Sequence, residues 1–332
     1  MKITTFAALS LAVALLSSSA QAEERFPAGG ISIDPAAKIS IAKQDVYLSV
    51  RQVRVHYEYH SDVAQTVPMR FESPIVPIDQ GPEQLGGAML EAGMPYQNYP
   101  QLKVMASGKA IEPTIVERAF YNGEDITNEL GERGLPVYIG SWEELQAAWS
   151  RLSALQKQDV GELGFILMSD DGSPSVANWQ YQTIFEWEQP LAVGATEVTI
   201  EYVPMNGYVS DVHPAYYGKV DDELNKSYTE EVAAFYCLDD ALIRAVQKRV
   251  DEGQSLELVE LGYATSPEDR ARSVGKFTLT VDKADPALGG AMDYVAFCPV
   301  EAKKASDTAF EWSATDFTLG RDIDVVFYAF GG

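Results

Sequence analysis

Residues 52–60 read QVRVHYEYH, and their alternation limits the fold more than any other stretch of the chain. Val53, Val55, Tyr57 and Tyr59 fall on one side of an extended backbone, and Arg54, His56, Glu58 and His60 on the other. Period-two patterning of this kind buries one face of a strand and wets the other. Short runs of the same character recur at 44–50, 66–73, 102–107 and 114–121, with SGK (107–109) as a turn between the last two. In NWQYQTIFEWEQ (178–189), Trp179, Tyr181, Thr183, Phe185 and Trp187 alternate with Gln180, Gln182, Ile184, Glu186 and Glu188. The following run ATEVTIEYVP (195–204) is expected to pair with it as a hairpin across PLAVG. Five further runs fill the tail: 256–264, 276–282, 293–298, 308–314 and 322–330. Proline-rich 72–84 cannot continue a central strand, and 91–101 reads as a surface loop.

Two regions switch to helical spacing. Between about 124 and 165, Ser141 and Glu144 form a capping-box pair. Leu145, Ala148, Trp149, Leu152 and Leu155 then recur on one helical face. A second helix is expected over roughly 229–250, capped by Ser227 or Thr229, with Phe235, Leu242, Ile243, Val246 and Val250 as its buried stripe. The pattern holds no β–α–β rhythm and no fixed repeat. It therefore predicts a mainly β (α+β) fold, an antiparallel β-sandwich with a helical insert and one further helix. The organisation expected is a leader at 1–22, a β-rich lobe at 23–220 carrying the insert, and a helix plus β-rich lobe at 221–332, packed as one unit with the first.

The first 22 residues, MKITTFAALSLAVALLSSSAQA, combine Lys2, an apolar core from Phe6 to Leu16 and an Ala-x-Ala end. That is the pattern of a cleaved secretory leader, too short in its apolar core for the ~20 residues that span a bilayer. Cleavage after Ala22 removes 22 of 332 residues and leaves 310. The expected location is periplasmic or secreted, with no transmembrane segment in the mature chain. Lys and Arg number 25 against 49 Asp and Glu, a surplus of negative charge that repels nucleic acid. The two cysteines, Cys237 and Cys298, are then expected to form a disulfide in an oxidising compartment. It closes a loop of about 60 residues and contributes up to about 4 kcal/mol in the loop-entropy account.

The chain carries no G-x-S-x-G, G-x-G-x-x-G, P-loop or H-E-x-x-H motif. HYEYH (56–60) resembles the last of these only in spelling. On a helix, histidines four apart sit about 6 Å from each other. On a strand they lie roughly 13 Å apart, too far for one zinc bound at ~2 Å by each. A metal or hydrolytic site would need His56, Glu58, His60 and the third histidine, His213, brought together by the fold. The simpler reading is a solvated polar strand face. No cofactor is implied.

The order of segments is similar to a known bacterial family. GGISID…KISIAKQDVYLSVRQVRVHYEYHS resembles the opening of the domain of unknown function 4424, with its Gly-Gly start and strand pair. EDITNELGERGLPV…LGFI resembles its helical insert, and FEWEQPLAVGATEVTIEYVPMNGY the hairpin-like stretch that follows. FYCLDDALIRAV, FTLTVDKADP…VAFC and FEWSATDFTLGRDIDVVF are similar to its closing third, both cysteines included. Glu201 and Val203 stand where the family's hairpin usually has His and Arg, and Asn206 and Gly207 where a Gly pair follows it. The resemblance implies an exported β-rich protein. It implies no activity and transfers no catalytic residue.

The expected function is that of a non-catalytic binding or interaction protein of the cell envelope, its partner a protein or a glycan. The loop MNGYVSDVHPAYYGK (205–219) offers Tyr208, His213, Tyr216 and Tyr217 as an aromatic surface. Two alternatives make distinct structural demands. A scaffold would show an unprotected edge strand; a hydrolase would show a cleft joining a histidine to an acid.

Overall fold

Alternating runs become strands wherever the apolar side of each finds a facing sheet. The computed structural model describes residues 27–78, 96–209, 230, 232–265, 270, 272–286, 289–298 and 302–331, with only the backbone at Tyr208 and Val209. The leader at 1–22 and residues His213, Tyr216 and Tyr217 lie outside the described residues.

An eight-stranded sheet forms one layer, in the order Lys303–Lys304, Ala309–Phe317, Val274–Asp282, Ile39–Ser49, Val53–Ser61, Gly194–Tyr202, Lys103–Ala106 and Lys109–Ile111. Ile39–Ser49 and Val274–Asp282 pair in parallel, with Val46 opposite Leu279, so strands from both ends of the chain share the sheet. The facing layer contains two smaller sheets. A six-stranded sheet has Gln180–Leu191 at its centre, between Thr114–Tyr121 and Gln65–Glu72. A five-stranded sheet is built on Ser255–Ala264 and Ile323–Gly331, with Tyr294–Cys298 at one edge. Tyr57 and Tyr59 from the large sheet, Phe71 and Phe185 from the six-stranded sheet, and Leu261 and Phe327 from the five-stranded one fill a single apolar core. The mainly β sandwich predicted from alternation is the architecture observed.

The connections differ from expectation. Gln180–Leu191 and Gly194–Tyr202 do not pair as a hairpin; the chain crosses from one layer to the other between them. Ser61–Gln65 makes the same crossing beside it, since Ser61 pairs with Gly194 and Gln65 with Leu191. Likewise SGK turns Lys103–Ala106 onto Lys109–Ile111, and Thr114–Tyr121 belongs to the other layer. Two strands that each bury one face can meet edge to edge or face to face, and alternation is the same in both cases.

The N-terminal residues tie the two smaller sheets together. Ala28–Gly29 pairs in parallel with Tyr263–Ala264, and Ser32–Ile33 pairs with Met69–Arg70. Between them Ile31 is fully buried, and its N–H donates to the Tyr57 hydroxyl at 3.1 Å. The Tyr202 hydroxyl donates to the Ala28 and Gly29 carbonyls at 2.9 and 3.1 Å.

In the insert, three helices (α1 Thr127–Glu132, α2 Trp142–Arg151, α3 Ala154–Glu162) pack Leu130, Leu145, Ala148 and Val160 against Phe165 and Trp179. Ser141 accepts from the Glu144 N–H, but the Glu144 carboxylate reaches the N–H of Gly140 rather than that of Ser141. A complete capping box forms instead at Ser153 and Gln156, and it starts a new helix. That restart turns Leu155 outward, 76 % exposed, although helical spacing placed it in the stripe. The second helical region is also broken. Helical backbone at 232–235 ends near Cys237, which has a φ of +55°, and α4 spans Asp240–Asp251. The Asp239 side chain caps α4 by accepting from the Leu242 N–H at 2.7 Å, and Ser227 and Thr229 lie outside the described residues. The 91–101 loop is corrected in part as well, because Tyr99 and Gln101 are buried.

Candidate functional site

The Arg54–His60 face does what alternation requires: Val53, Val55, Tyr57 and Tyr59 are buried, and Arg54 and His60 are exposed. His56 Nδ1 lies 2.9 Å from Thr199 Oγ1, its neighbour on the next strand. Glu58 stands in register between Lys43 and Glu197. His60 Nε2 lies 3.6 Å from an Asp62 carboxylate that is fully open to solvent. These residues share one face of the strand, His56 against Thr199 and His60 near Asp62. Among the described residues no group of three or more His, Cys, Asp or Glu could hold a metal ion. His213 lies outside the described residues. Tyr208 is placed by its backbone alone, opposite Val259 on the five-stranded sheet.

A polar cluster that sequence reading passed over lies where the helical insert meets the six-stranded sheet. The Tyr181 hydroxyl donates to Glu117 Oε1 at 2.9 Å. The ring of Tyr96 stacks on Tyr138 with centroids 4.3 Å apart. Tyr138 in turn packs on Tyr181, and Tyr181 on Tyr99. Below them Tyr99 donates to the Pro74 carbonyl at 2.7 Å and meets the Ser73 hydroxyl, which also holds Thr183. Burial, then the Glu117 charge and hydrogen bond, then the Glu144 charge push the Tyr96 phenol up to about 12. Burial pushes Tyr99 and Tyr181 higher still, with the Glu117 charge adding to the effect at Tyr181. The signal available in the sequence was the tyrosine pair of MPYQNYPQ, masked by the prolines that mark it as a loop.

The sheet edges differ in how they are protected. Lys303–Lys304, Lys109–Ile111, Glu124–Asp125 and Ser32–Ile33 end their sheets in two or three residues, three of the four carrying charge. Short, charged edges resist pairing with another chain. Tyr294–Cys298 is five residues long, uncharged and free of proline. It pairs with Ile323–Gly331 on one side and, among the described residues, with no strand on the other. A cavity of about 630 Å³ runs beside it, walled by Leu242 of α4, Val295, Phe297 and Phe310, with Asp239 and Lys283 at its rim. Cys237 and Cys298 form a disulfide across a Cα separation of 5.4 Å, fixing the residues before α4 to the end of this strand. A second groove of about 530 Å³ crosses the solvent face of the six-stranded sheet past Arg70, Glu186 and Glu188. Arg70 is already paired there with Glu72 at 2.9 Å.

The sequence profile of the family described as domain of unknown function (DUF4424) matches residues 19–326. The chain belongs to that family. Its membership assigns a shared architecture to the 4424-family segments read above and names no reaction or ligand. No curated protein matches the chain. Among solved structures it is similar to a provisionally assigned nutrient binding protein from Legionella pneumophila subsp. pneumophila, at 10 % identity and a TM-score of 0.41, over 92 % of this chain and 71 % of that one. A likeness of that degree transfers nothing between the two. The Gly-Gly start of the 4424-family pattern gains a reason from the geometry. A Cβ on Gly29 would stand 2.4 Å from the Ala264 carbonyl oxygen, and one on Gly30 would stand 1.9 Å from the Tyr57 hydroxyl.

Proposed function

We propose that this protein is an exported, non-catalytic binding protein of the cell envelope that holds a protein partner by strand addition at the Tyr294–Cys298 edge. The supporting observation is that edge itself: five uncharged residues that, among the described residues, pair with a strand on one side only, beside a cavity lined by Leu242, Phe297 and Phe310 together with Asp239, Lys283 and Asp293. In strand addition the main chain supplies affinity, and pockets for alternate side chains supply selectivity. The backbone along one side of Tyr294–Cys298 supplies the first, and the Leu242–Phe297–Phe310 walls supply the second. The volume falls within the roughly 300–1,000 Å³ common for binding cavities. The disulfide holds the groove in shape before a partner arrives, which lowers the cost of ordering it. Export rests on the leader-like start and on the disulfide. A binding role is favoured over hydrolysis because His56 meets the Thr199 hydroxyl and His60 meets Asp62 at an exposed position, so the two do not converge on one acid.

The test is site-specific photo-crosslinking from position 310 in protein expressed in its native envelope, with His60 as the control position. The proposal expects adducts that map to one extended segment of one partner and are lost when Val295 is replaced by Lys. Adducts scattered over many proteins, or equal yields from position 60, would contradict it.

A further inference from the structure

The cavity beside Tyr294–Cys298 is closed at its Tyr294 end by the backbone of Lys283. This residue follows Val274–Asp282 of the eight-stranded sheet. Its N–H donates to the Thr308 carbonyl at 3.0 Å, and its carbonyl accepts from the Met292 N–H at 2.8 Å. Thr308 leads into Ala309–Phe317 in one layer, and Met292 into Tyr294–Cys298 in the other, so Lys283 bridges the two. Three charged side chains line the cavity: Asp239, Lys283 and Asp293. Asp293 is fully engaged, Oδ1 with the Arg249 guanidinium and Oδ2 with the Phe330 N–H at 3.0 Å. Asp239 caps α4. The half-buried Lys283 ammonium donates to the main-chain carbonyl of Asp293 at 2.8 Å. Among the described residues no carboxylate pairs with it. A neutral carbonyl fixes the ammonium in place and leaves its charge uncompensated.

We propose that the segment added at this edge is the C-terminal end of a partner chain, its terminal carboxylate bound by Lys283; this rests on the strand-addition reading above. A charge-assisted bond from ammonium to carboxylate is roughly twice as strong as a neutral one. A segment that ends against Lys283 has its earlier residues towards Cys298, and so runs antiparallel to Tyr294–Cys298. Ile323–Gly331 already pairs in that sense on the other side, and the antiparallel ladder is the more stable. A segment with its N-terminus against Lys283 would set ammonium against ammonium. An acidic side chain inside a longer segment would require the chain to continue past Lys283, where the bonds to Thr308 and Met292 stand in the way. Val295 and Phe297 pack with the main core on one side of the strand, and Tyr294 and Ala296 with Leu242 on the other. Side chains of the added segment alternate between the same two sides, which favours apolar residues there. At the far end Asp239, two residues beyond Cys237 of the disulfide, favours a basic residue.

The probes are two pools of random hexapeptides, one ending in a free carboxylate and the other amidated. Each is offered to the purified, disulfide-intact protein carrying a photo-crosslinking residue at position 310. The expected result is at least about tenfold more cross-linking from the free-carboxylate pool, by peptides apolar at alternate positions. Lys283→Gln keeps a donor for the Asp293 carbonyl but removes the excess, and Lys283→Arg retains it. Far-ultraviolet circular dichroism checks that both variants fold. Equal cross-linking by the two pools would overturn the C-terminal assignment and leave strand addition standing. Cross-linking by neither pool would overturn both. An excess that survives Lys283→Gln, or capture of amidated peptides through an internal Asp or Glu, would also overturn the assignment.

Discussion

Gly30 shows how one missing methyl group can decide a fold. A Cβ there would stand 1.9 Å from the Tyr57 hydroxyl and 2.8 Å from that of Tyr263. Both tyrosines are buried, and Gln44 donates to each, so neither ring can retreat cheaply. Gly30→Ala is expected to lower unfolding stability by about 1–3 kcal/mol, the usual cost of overpacking. Denaturant unfolding measures this directly, and an unchanged midpoint would mean that the strap is not seated as described. Tyr96 supplies a second residue-scale outcome. Its phenol is raised to about 12, so the unfolded chain releases this proton at lower pH than the folded protein. Its contribution to stability is therefore complete below pH 10, the ordinary tyrosine value, and is lost as pH climbs from there towards about 12. Comparing the alkaline phenolate titration of the protein with that of Tyr96→Phe isolates the group. A difference curve centred at the ordinary tyrosine value would refute the burial described. His56 and His60 carry the opposite lesson: coordinating residue types at alternate strand positions fall on the one polar face that alternation requires.

At the scale of elements, most strands and the insert were legible in the sequence, because each buries one face and period-two or helical spacing records that directly. Connections were not. The crossing after Leu191 and the crossing after Ser61 leave the same alternation as hairpins would, and only the paired registers reveal them. The broken helix before α4 was also hidden, since Phe235, Leu242 and Val246 keep helical spacing across a kink at Cys237. Of the candidate sites, the strand edge at Tyr294–Cys298 could be read only as a strand; that it ends a sheet is a property of pairing. The Tyr96–Glu117 cluster joins residues more than twenty positions apart, which spacing does not record. Two outcomes belong here. Ser153→Ala removes the side-chain half of a capping box, the acceptor for the Gln156 N–H, and should cost about 1 kcal/mol, visible as a lower melting temperature. Replacing Cys237 and Cys298 together by Ser should cost about 2–4 kcal/mol. Thermal melting of the double variant checks the second figure, and no loss would show that the disulfide adds little to the packing of Tyr236 and Val246.

For the whole molecule, the parallel pairing of Ile39–Ser49 with Val274–Asp282 and the N-terminal strap across two sheets make distant parts of the chain depend on one another. One core contains side chains from all three large sheets. A chain cut near residue 220 is accordingly expected to give halves that do not fold apart but regain β structure when mixed, as circular dichroism would show. Among the described residues the sandwich carries an uncharged five-residue edge beside a disulfide-braced cavity, and the proposed partner binding depends on it. Amide hydrogen exchange across Tyr294–Cys298, measured with and without the cross-linked partner segment supplied as a peptide, tests that dependence most directly. The account predicts that amides of this strand facing away from Ile323–Gly331 slow by at least about tenfold when the peptide is bound, a change of about 1.4 kcal/mol. Unchanged exchange along this strand, with protection appearing on another surface, would contradict it.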